Sequence, residues 1–184
     1  IDDSVGKLVF CNNERKKIQA EVYSKCTEIV ENNPQKDKFI LINAGDAHEG
    51  IAGIVAGKIK DTYYRPAIIL TESGDFFKGT GRSIEGINIY NLLKSHENLF
   101  EKFGGHAAAC GFLMKRENLE VLRKALNIDV ELLEKNNKDL FKIKIEADMN
   151  IEINDITVEL IKQIEFLGPF GCRNLKPTFR IEDV

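Results

Sequence analysis

A single histidine stands inside the densest run of small residues in the chain. The run extends from Gly104 to Gly111, with the sequence Gly-Gly-His-Ala-Ala-Ala-Cys-Gly. Small residues let backbone N–H groups approach an anion, and the imidazole of His106 adds a directed donor. Gly104, Gly105 and His106 are therefore candidate phosphate contacts. A tight turn before a packed strand, with the histidine bonded locally, is the commoner outcome for such a composition.

Two cations and two hydroxyls surround two glycines in residues 78–83, Lys-Gly-Thr-Gly-Arg-Ser. Arginine can hold two phosphate oxygens at once, hydroxyls donate, and glycine removes steric bulk. Lys78, Thr80, Arg82 and Ser83 are accordingly candidate phosphate-binding residues. The segment matches neither a phosphate-binding loop nor a dinucleotide fingerprint. An edge strand with solvated Lys and Arg side chains is the alternative.

A third candidate site lies at His48, Glu49 and Gly50, directly before a segment with helical spacing. Unpaired N–H groups and the helix dipole favour an anion at the start of a helix. This makes His48 and Gly50 further candidates for phosphate binding. An ordinary loop position explains His48 equally well.

Metal binding is not indicated by the cysteines and histidines. The cysteines form no Cys-x-x-Cys pair, and no histidine has a second ligand at helical spacing. We therefore expect no metal or other cofactor on this segment, and dispersed cysteines fit a reducing cytoplasm.

The overall charge gives no support for nucleic-acid binding. With 26 basic and 29 acidic residues the formal net charge is −3, so any such site must be local. No apolar run approaches the roughly 20 residues of a membrane span, and we expect a monomer without membrane attachment. The absence of an initial Met suggests a piece of a longer protein.

The first half of the chain is predicted to alternate helices and buried strands. Helical spacing extends from Asn13 to about Glu31 and ends at residues 32–34, Asn-Asn-Pro. Short apolar runs at 39–43 and 67–70 predict strands, and residues 50–60 between them predict a helix. A strand–helix–strand unit of this length implies parallel pairing.

The following segments predict additions to the same sheet. A turn at 73–75 leads into a strand from Phe76 to Arg82, and two glycines in that strand indicate a close backbone approach or a bulge. One or two short helices are predicted over 88–103, a strand at 112–114 and a helix at 118–126. The predicted fold class is α/β, with a mixed sheet flanked by helices.

The tail has a different pattern after the polar residues 134–138. Strict alternation over 142–148 predicts a half-exposed strand, and Asp155 is suited to cap the helix that follows. Residues 169–171, Pro-Phe-Gly, stop that helix before a last strand from Thr178. Two strands and one helix cannot close a core, so this part is expected to be incomplete.

Several of these segments resemble the RecJ family of exonucleases, within the DHH phosphoesterases. Residues 48–56 resemble the family stretch His-Pro-Gly-Val-x-Gly-Ile-Val-Ala, and residues 63–66 its Tyr-Tyr-Arg-Pro. Residues 78–83 resemble Lys-Gly-Ser-x-Arg-Ser, and residues 104–111 resemble Gly-Gly-His-x-x-Ala-x-Gly. Residues 169–177 are similar to Pro-Phe-Gly-x-Gly-Asn-x-x-Pro.

The resemblance keeps its order over nearly the whole chain. Residues 12–15 are similar to the Asn-x-x-Arg that begins a connecting helix in the family. Departures occur at Ala47 for Trp, Glu49 for Pro, Thr80 for Ser and Arg173 for Gly. The resemblance implies three regions: a connecting helix at 1–34, a DHH-associated substrate-binding domain at 35–137, and the incomplete start of an oligonucleotide-binding domain at 138–184.

The resemblance also implies a function. In the family, a preceding DHH domain holds Mn or Mg and activates water for phosphodiester hydrolysis, and single-stranded DNA is degraded from its 5′ end in repair and recombination. This segment would form the opposite wall of the cleft. His106, with Gly104 and Gly105, would contact the phosphate near the scissile bond, as the one catalytic residue here. Thr80, Arg82 and Ser83 would hold the terminal phosphate or the backbone.

Two other functions remain open at this point. A DHH-class oligoribonuclease, or a phosphatase acting on small nucleotides, shares the Gly-Gly-His signature, but such proteins typically end soon after it. A non-catalytic nucleic-acid-binding module would describe the segment by itself. The residues after Lys142 favour the RecJ assignment.

Overall fold

The computed structural model describes residues 2–33, 37–144 and 146–182. The chain divides into two compact units, Ile1–Lys142 and Ile143–Val184, which are described separately. Among the described helices, none is both long enough and apolar enough to cross a membrane.

A five-stranded mixed sheet forms the centre of the first unit. Its strands, in the spatial order β1-β2-β3-β5-β4, are β1 (Ile40–Asn43), β2 (Ala67–Ser73), β3 (Phe76–Arg82), β4 (Phe100–His106) and β5 (Ala109–Lys115). β1 and β2 are parallel, and every other neighbouring pair is antiparallel. The predicted α/β class with a mixed sheet is confirmed.

Helices cover both faces of this sheet. They are α1 (Asp2–Glu31), α2 (Glu49–Tyr63), α3 (Ile89–Lys94) and α4 (Leu119–Asn136), with short 3-10 turns at Glu97–Leu99 and Arg116–Asn118. α2 connects the two parallel strands, as predicted. α4 continues past its predicted end at Leu126, because Val130 extends the buried stripe that Leu122 begins.

The predicted start of the first helix near Asn13 is wrong. α1 already begins at Asp2, where Val5 and Leu8 are exposed and make no buried stripe that could reveal a helix. The predicted end is confirmed, because α1 ends at Glu31. Of the residues predicted to stop the helix, Pro34 lies outside the described residues.

Two apolar clusters pack against the sheet, one on each face. Ile68 and Leu70 of β2 belong to a cluster that also contains residues of α3 and α4. Ala67 and Ile69 alternate with them and belong to a cluster with residues of α1 and α2. β1 and β2 are therefore covered on both sides.

The short helices predicted over 88–103 are confirmed as far as Leu99, but residues 100–103 belong to strand β4. Phe100 and Phe103 both pack against the α3–α4 cluster, although they are three positions apart. A bulge between Phe100 and Lys102 takes up the extra residue. The result is a spacing that resembles a helical one. The predicted strand at 112–114 is correct but too short, because Ala109 and Gly111 give no apolar signal.

The second unit contains little regular structure. It has β6 (Met149–Asn150) parallel to β7 (Phe179–Arg180), a 3-10 turn at Ile153–Asp155 and α5 (Val158–Glu165). The predicted strand at 142–148 is wrong for the described residues, and Ile145 lies outside them. Asp155 does not cap α5, because its carboxylate accepts from the backbone of Glu152 while Thr157 occupies the cap position.

Candidate nucleic-acid interface

The two faces of β3 have different roles. Phe77, Gly79 and Gly81 point to the α3–α4 cluster, and Lys78, Thr80 and Arg82 alternate with them on the other face. A Cβ on Gly79 would lie 2.2 Å from the Phe112 ring, and one on Gly81 would lie 2.5 Å from Cys110 Sγ. The predicted close approach is confirmed, but it serves core packing and not a ligand.

Three cross-strand rows bring the predicted site residues onto one face. Residues directly opposite each other in an antiparallel sheet project to the same side. The rows are Arg82–Ala109–His106, Thr80–Gly111–Gly104 and Lys78–Leu113–Lys102. We call these nine residues the open face. His106 and Arg82 thus lie two strands apart, on the order of 10 Å between Cα atoms.

Small residues leave the middle of the open face bare. A Cβ placed on Gly104 would meet nothing within 4 Å, and one on Gly111 would meet only the Gly79 carbonyl oxygen at 3.8 Å. Gly104, His106 and Gly111 are exposed. This bare middle row lies between the row of Arg82 and the row of Lys78 and Lys102.

His106 is held by the β4–β5 turn. Its Nδ1 accepts the Ala108 N–H at 3.3 Å, and within the described residues its Nε2 makes no hydrogen bond. Gly105 has φ 150°, and a Cβ there would lie 2.4 Å from the Ala109 carbonyl oxygen, so the turn requires glycine. A neutral imidazole that accepts at Nδ1 carries its hydrogen on Nε2. The predicted tight turn and the predicted donor are therefore compatible.

The start of α2 borders the open face. A Cβ on Gly53 would lie 3.2 Å from Arg82 Nη2 and 3.3 Å from Thr80 Cγ2. His48 is the cap of this helix, and its Nδ1 accepts the Gly50 N–H at 3.0 Å. That amide is thus used within the protein, while phosphate binding by His48 and Gly50 stays a prediction.

The remaining predicted residues differ in how accessible they are. Arg82 donates from Nη1 to the Gly81 carbonyl at 3.0 Å. Ser83 is buried, and its hydroxyl donates to the Ile87 carbonyl at 2.7 Å, which supports the turn after β3. Phosphate binding by Ser83 stays a prediction that this geometry does not favour.

Two features of the interface were not predicted from the sequence. Lys102 lies in the Lys78 row, but it was assigned to a helix, and only the strand register places it there. Lys78 forms an ion pair with Glu49, with 2.6 Å between Nζ and Oε2. Within the described ranges, no three or more His, Cys, Asp or Glu side chains are grouped to hold a metal ion. The described residues therefore offer no such group for the divalent metal that the family resemblance assigns to a DHH domain.

Comparison with known proteins identifies the family to which the chain belongs. A DHHA1 domain model matches residues 36–131, and a RecJ OB domain model matches residues 147–184. The single-stranded-DNA-specific exonuclease RecJ of Bacillus subtilis (strain 168) is 35% identical over 186 residues, covering 99% of this chain and 23% of that protein. The protein of the same name from Escherichia coli (strain K12) is 27% identical, covering 95% of this chain and 31% of that protein.

Solved structures agree with the sequence relationship. RecJ from Thermus thermophilus, crystallised in complex with Mn²⁺, matches with a TM-score of 0.75 at 21% identity, covering 96% of this chain and 26% of that chain. At this identity the match shows the fold. The chain spans 23% and 31% of the two curated relatives, and the DHHA1 model covers more than half of it. The chain therefore belongs to the DHHA1 domain family, in the RecJ type that carries a RecJ OB domain after it.

Proposed function

We propose that this chain is the nucleic-acid-binding part of a single-stranded-DNA-specific exonuclease that hydrolyses phosphodiester bonds from the 5′ end, in DNA repair and recombination. The observation that carries the proposal is the Arg82–Ala109–His106 row, which sets a guanidinium and an imidazole on one bare face of a sheet. Arginine suits a terminal phosphate because its fork can bind two oxygens. The imidazole Nε2 suits a phosphate on which charge develops during cleavage.

The open face favours an extended polymer over a small nucleotide. Its cations occupy the first and third rows, which are four residues apart along β3. At about 3.4 Å per residue their Cα atoms are about 14 Å apart, a spacing that suits successive phosphates of one strand. The alternative of a small-nucleotide phosphatase would use only the Arg82 row. The RecJ OB match over residues 147–184 also supports a polynucleotide substrate.

Cleavage is proposed to need residues outside this chain. Mn or Mg, bound by a DHH domain of a longer protein, would supply the activated water, and the residues of the open face would bind and orient the strand. The 184-residue chain alone should then bind DNA without cutting it. Manganese-dependent cleavage by the purified chain, abolished by a chelator, would contradict the proposal that cleavage needs residues outside this chain.

Equilibrium binding tests the proposed function directly. Fluorescence anisotropy should show tighter binding of a 5′-phosphorylated single-stranded oligonucleotide than of its 5′-hydroxyl form or a blunt duplex. Arg82→Ala should remove about 1.5–3 kcal/mol of binding free energy and reduce the dependence on salt. Arg116→Ala is the matched control, because Arg116 pairs with Glu72 and lies over the Phe77 ring, away from the open face. Equal losses in both variants would exclude the proposed site.

A further inference from the structure

A carboxylate occupies the border between α2 and the open face. Glu49 Oε2 lies 2.6 Å from Lys78 Nζ, and the two side chains are 59% and 46% exposed. The hydrogen bond and the charge of Lys78 lower the pKa of Glu49 below its usual value, so the carboxylate is ionised at neutral pH. Among the described residues, no other member of the open face has an ion-pair partner.

The Lys78–Glu49 ion pair is expected to affect the binding of charged ligands more than the stability of the fold. Exposed ion pairs contribute little to folding, because solvent screens them and two long side chains must be held still. The same ion pair should weaken the binding of a polyanion. A phosphate that approaches Lys78 must displace the carboxylate, which then stays nearby as a like charge.

We propose that Glu49 is a specificity-determining residue that competes with nucleic-acid phosphate for Lys78. The inference rests on the proposed function. The Cα atoms of Lys78 and Arg82 lie about 14 Å apart along β3, and their side chains are held at the Glu49 carboxylate and the Gly81 carbonyl, so a single phosphate bound at Arg82 is expected to leave the Lys78–Glu49 pair intact. Glu49 therefore weakens only those ligands that extend from Arg82 to Lys78, and leaves binding of a mononucleotide unchanged.

Two replacements remove the carboxylate while keeping the helix. Glu49→Gln preserves size and removes the charge. Glu49→Pro is also compatible, because Glu49 is the first helical residue and proline is favoured there. His48 before it has φ −65° and ψ 128°, an extended conformation that a following proline accepts. Glu72→Gln is the matched control: Glu72 pairs with Arg116 at 2.9 Å and lies opposite Phe77, on the other side of the sheet.

The test is equilibrium binding of the whole chain to a 5′-phosphorylated single-stranded oligonucleotide and to thymidine 5′-monophosphate. Glu49→Gln and Glu49→Pro should each lower the Kd for the oligonucleotide by about two- to fivefold. Both should leave the Kd for the mononucleotide unchanged. In a Lys78→Gln background, Glu49→Gln should have no effect, and Glu72→Gln should not tighten binding.

Several results would overturn the inference. Unchanged or weaker oligonucleotide binding by the Glu49 variants would do so, as would an equal gain without Lys78 or an equal gain from Glu72→Gln. Oligonucleotide binding that depends on Arg82 but not on Glu49 would overturn this inference alone. A wild-type chain that binds neither ligand would overturn the proposed function together with it.

Discussion

His106 is the residue for which the structure gives the most specific chemical expectation. Its Nδ1 accepts the Ala108 N–H, which leaves Nε2 as the donor toward the open face. A donor aimed at a reacting phosphate stabilises charge that develops in the transition state more than charge in the ground state. In a longer protein that carries the proposed DHH domain, His106→Ala should therefore lower kcat on the order of 100-fold and change KM much less. Steady-state kinetics on single-stranded DNA measures both.

A second histidine provides the control for this prediction. His96 pairs with Asp129, with 2.7 Å between Nε2 and Oδ2, and does not belong to the open face. His96→Gln should keep kcat. Full turnover by His106→Ala, or equal losses in the two variants, would show that His106 does not act on the substrate.

Gly79 gives a stability prediction on the opposite face of the same strand. A methyl group at this position would overlap the Phe112 ring, which is buried in the α3–α4 cluster. Gly79→Ala should lower the free energy of unfolding by about 1–3 kcal/mol, as overpacking of a core does. Urea denaturation measures it. Gly57→Ala in α2, where a Cβ would meet nothing within 4 Å, should be neutral or stabilising by about 1 kcal/mol. Similar values for the two variants would contradict the packing argument.

At this scale the sequence predicts some site residues better than others. The sequence predicts the strand from Phe76 to Arg82, but His106 lies on β4, two strands away, and only the β3–β5 and β5–β4 registers place it on the same face as Arg82. Ser83 could have been questioned from the sequence alone, since residues adjacent in a strand point to opposite sides. Lys102 could not be found, because its position depends on a bulge that leaves no clear mark in the composition.

Among the elements, β1, β2 and β3 could be predicted from the sequence, whereas β4 could not and β5 only in part. β1 and β2 are buried on both faces, so their residues are almost all apolar. β4 and β5 present one bare face, and apart from Leu113 their outward positions carry Gly, Ala, Lys or His. These strands therefore have apolar residues mainly on one face, which gives a weaker sequence pattern than a strand buried on both faces. β5 pairs with the distant strand β3, and β4 pairs with β5. Pairing between distant segments is not encoded in any short window of the sequence.

Asn127 of α4 is a polar link between elements that can be tested. Its Oδ1 accepts from Lys38 N at 2.8 Å and Phe39 N at 3.1 Å, and its Nδ2 donates to the Arg123 carbonyl at 3.0 Å. It therefore satisfies backbone groups just before β1. Asn127→Ala should cost about 1–3 kcal/mol of unfolding free energy, because partly buried donors lose their partner.

Chemical denaturation of Asn127→Ala should be compared with that of Asn91→Ala. Asn91 is an exposed residue of α3, and its removal should change stability by less than about 0.5 kcal/mol. A loss of the same small size at Asn127 would mean that water replaces the side chain without cost.

Across the whole molecule, the two units differ in how well they bury their backbone. None of the described residues from 143 to 182 is buried, whereas β2 is buried over most of its length. Amide hydrogens of residues 178–182 and of α5 should therefore exchange much faster than those of β2 and β3. Hydrogen exchange of the whole chain, followed by mass spectrometry, measures both. Protection of α5 equal to that of β3, in a monomeric sample, would contradict this expectation.

The face of the sheet on which His106 lies depends on the number of paired residues between the bulge in β4 and His106. Phe100 is paired with Met114 and Lys102 with Leu113, so Glu101 is the bulged residue, which has no partner on β5. A chain without Glu101 would alternate regularly and still send His106 outward. A chain without Gly104 would turn the imidazole toward the core, because a shift by one residue exchanges the two faces. The strand can thus change length on one side of Lys102 but not on the other.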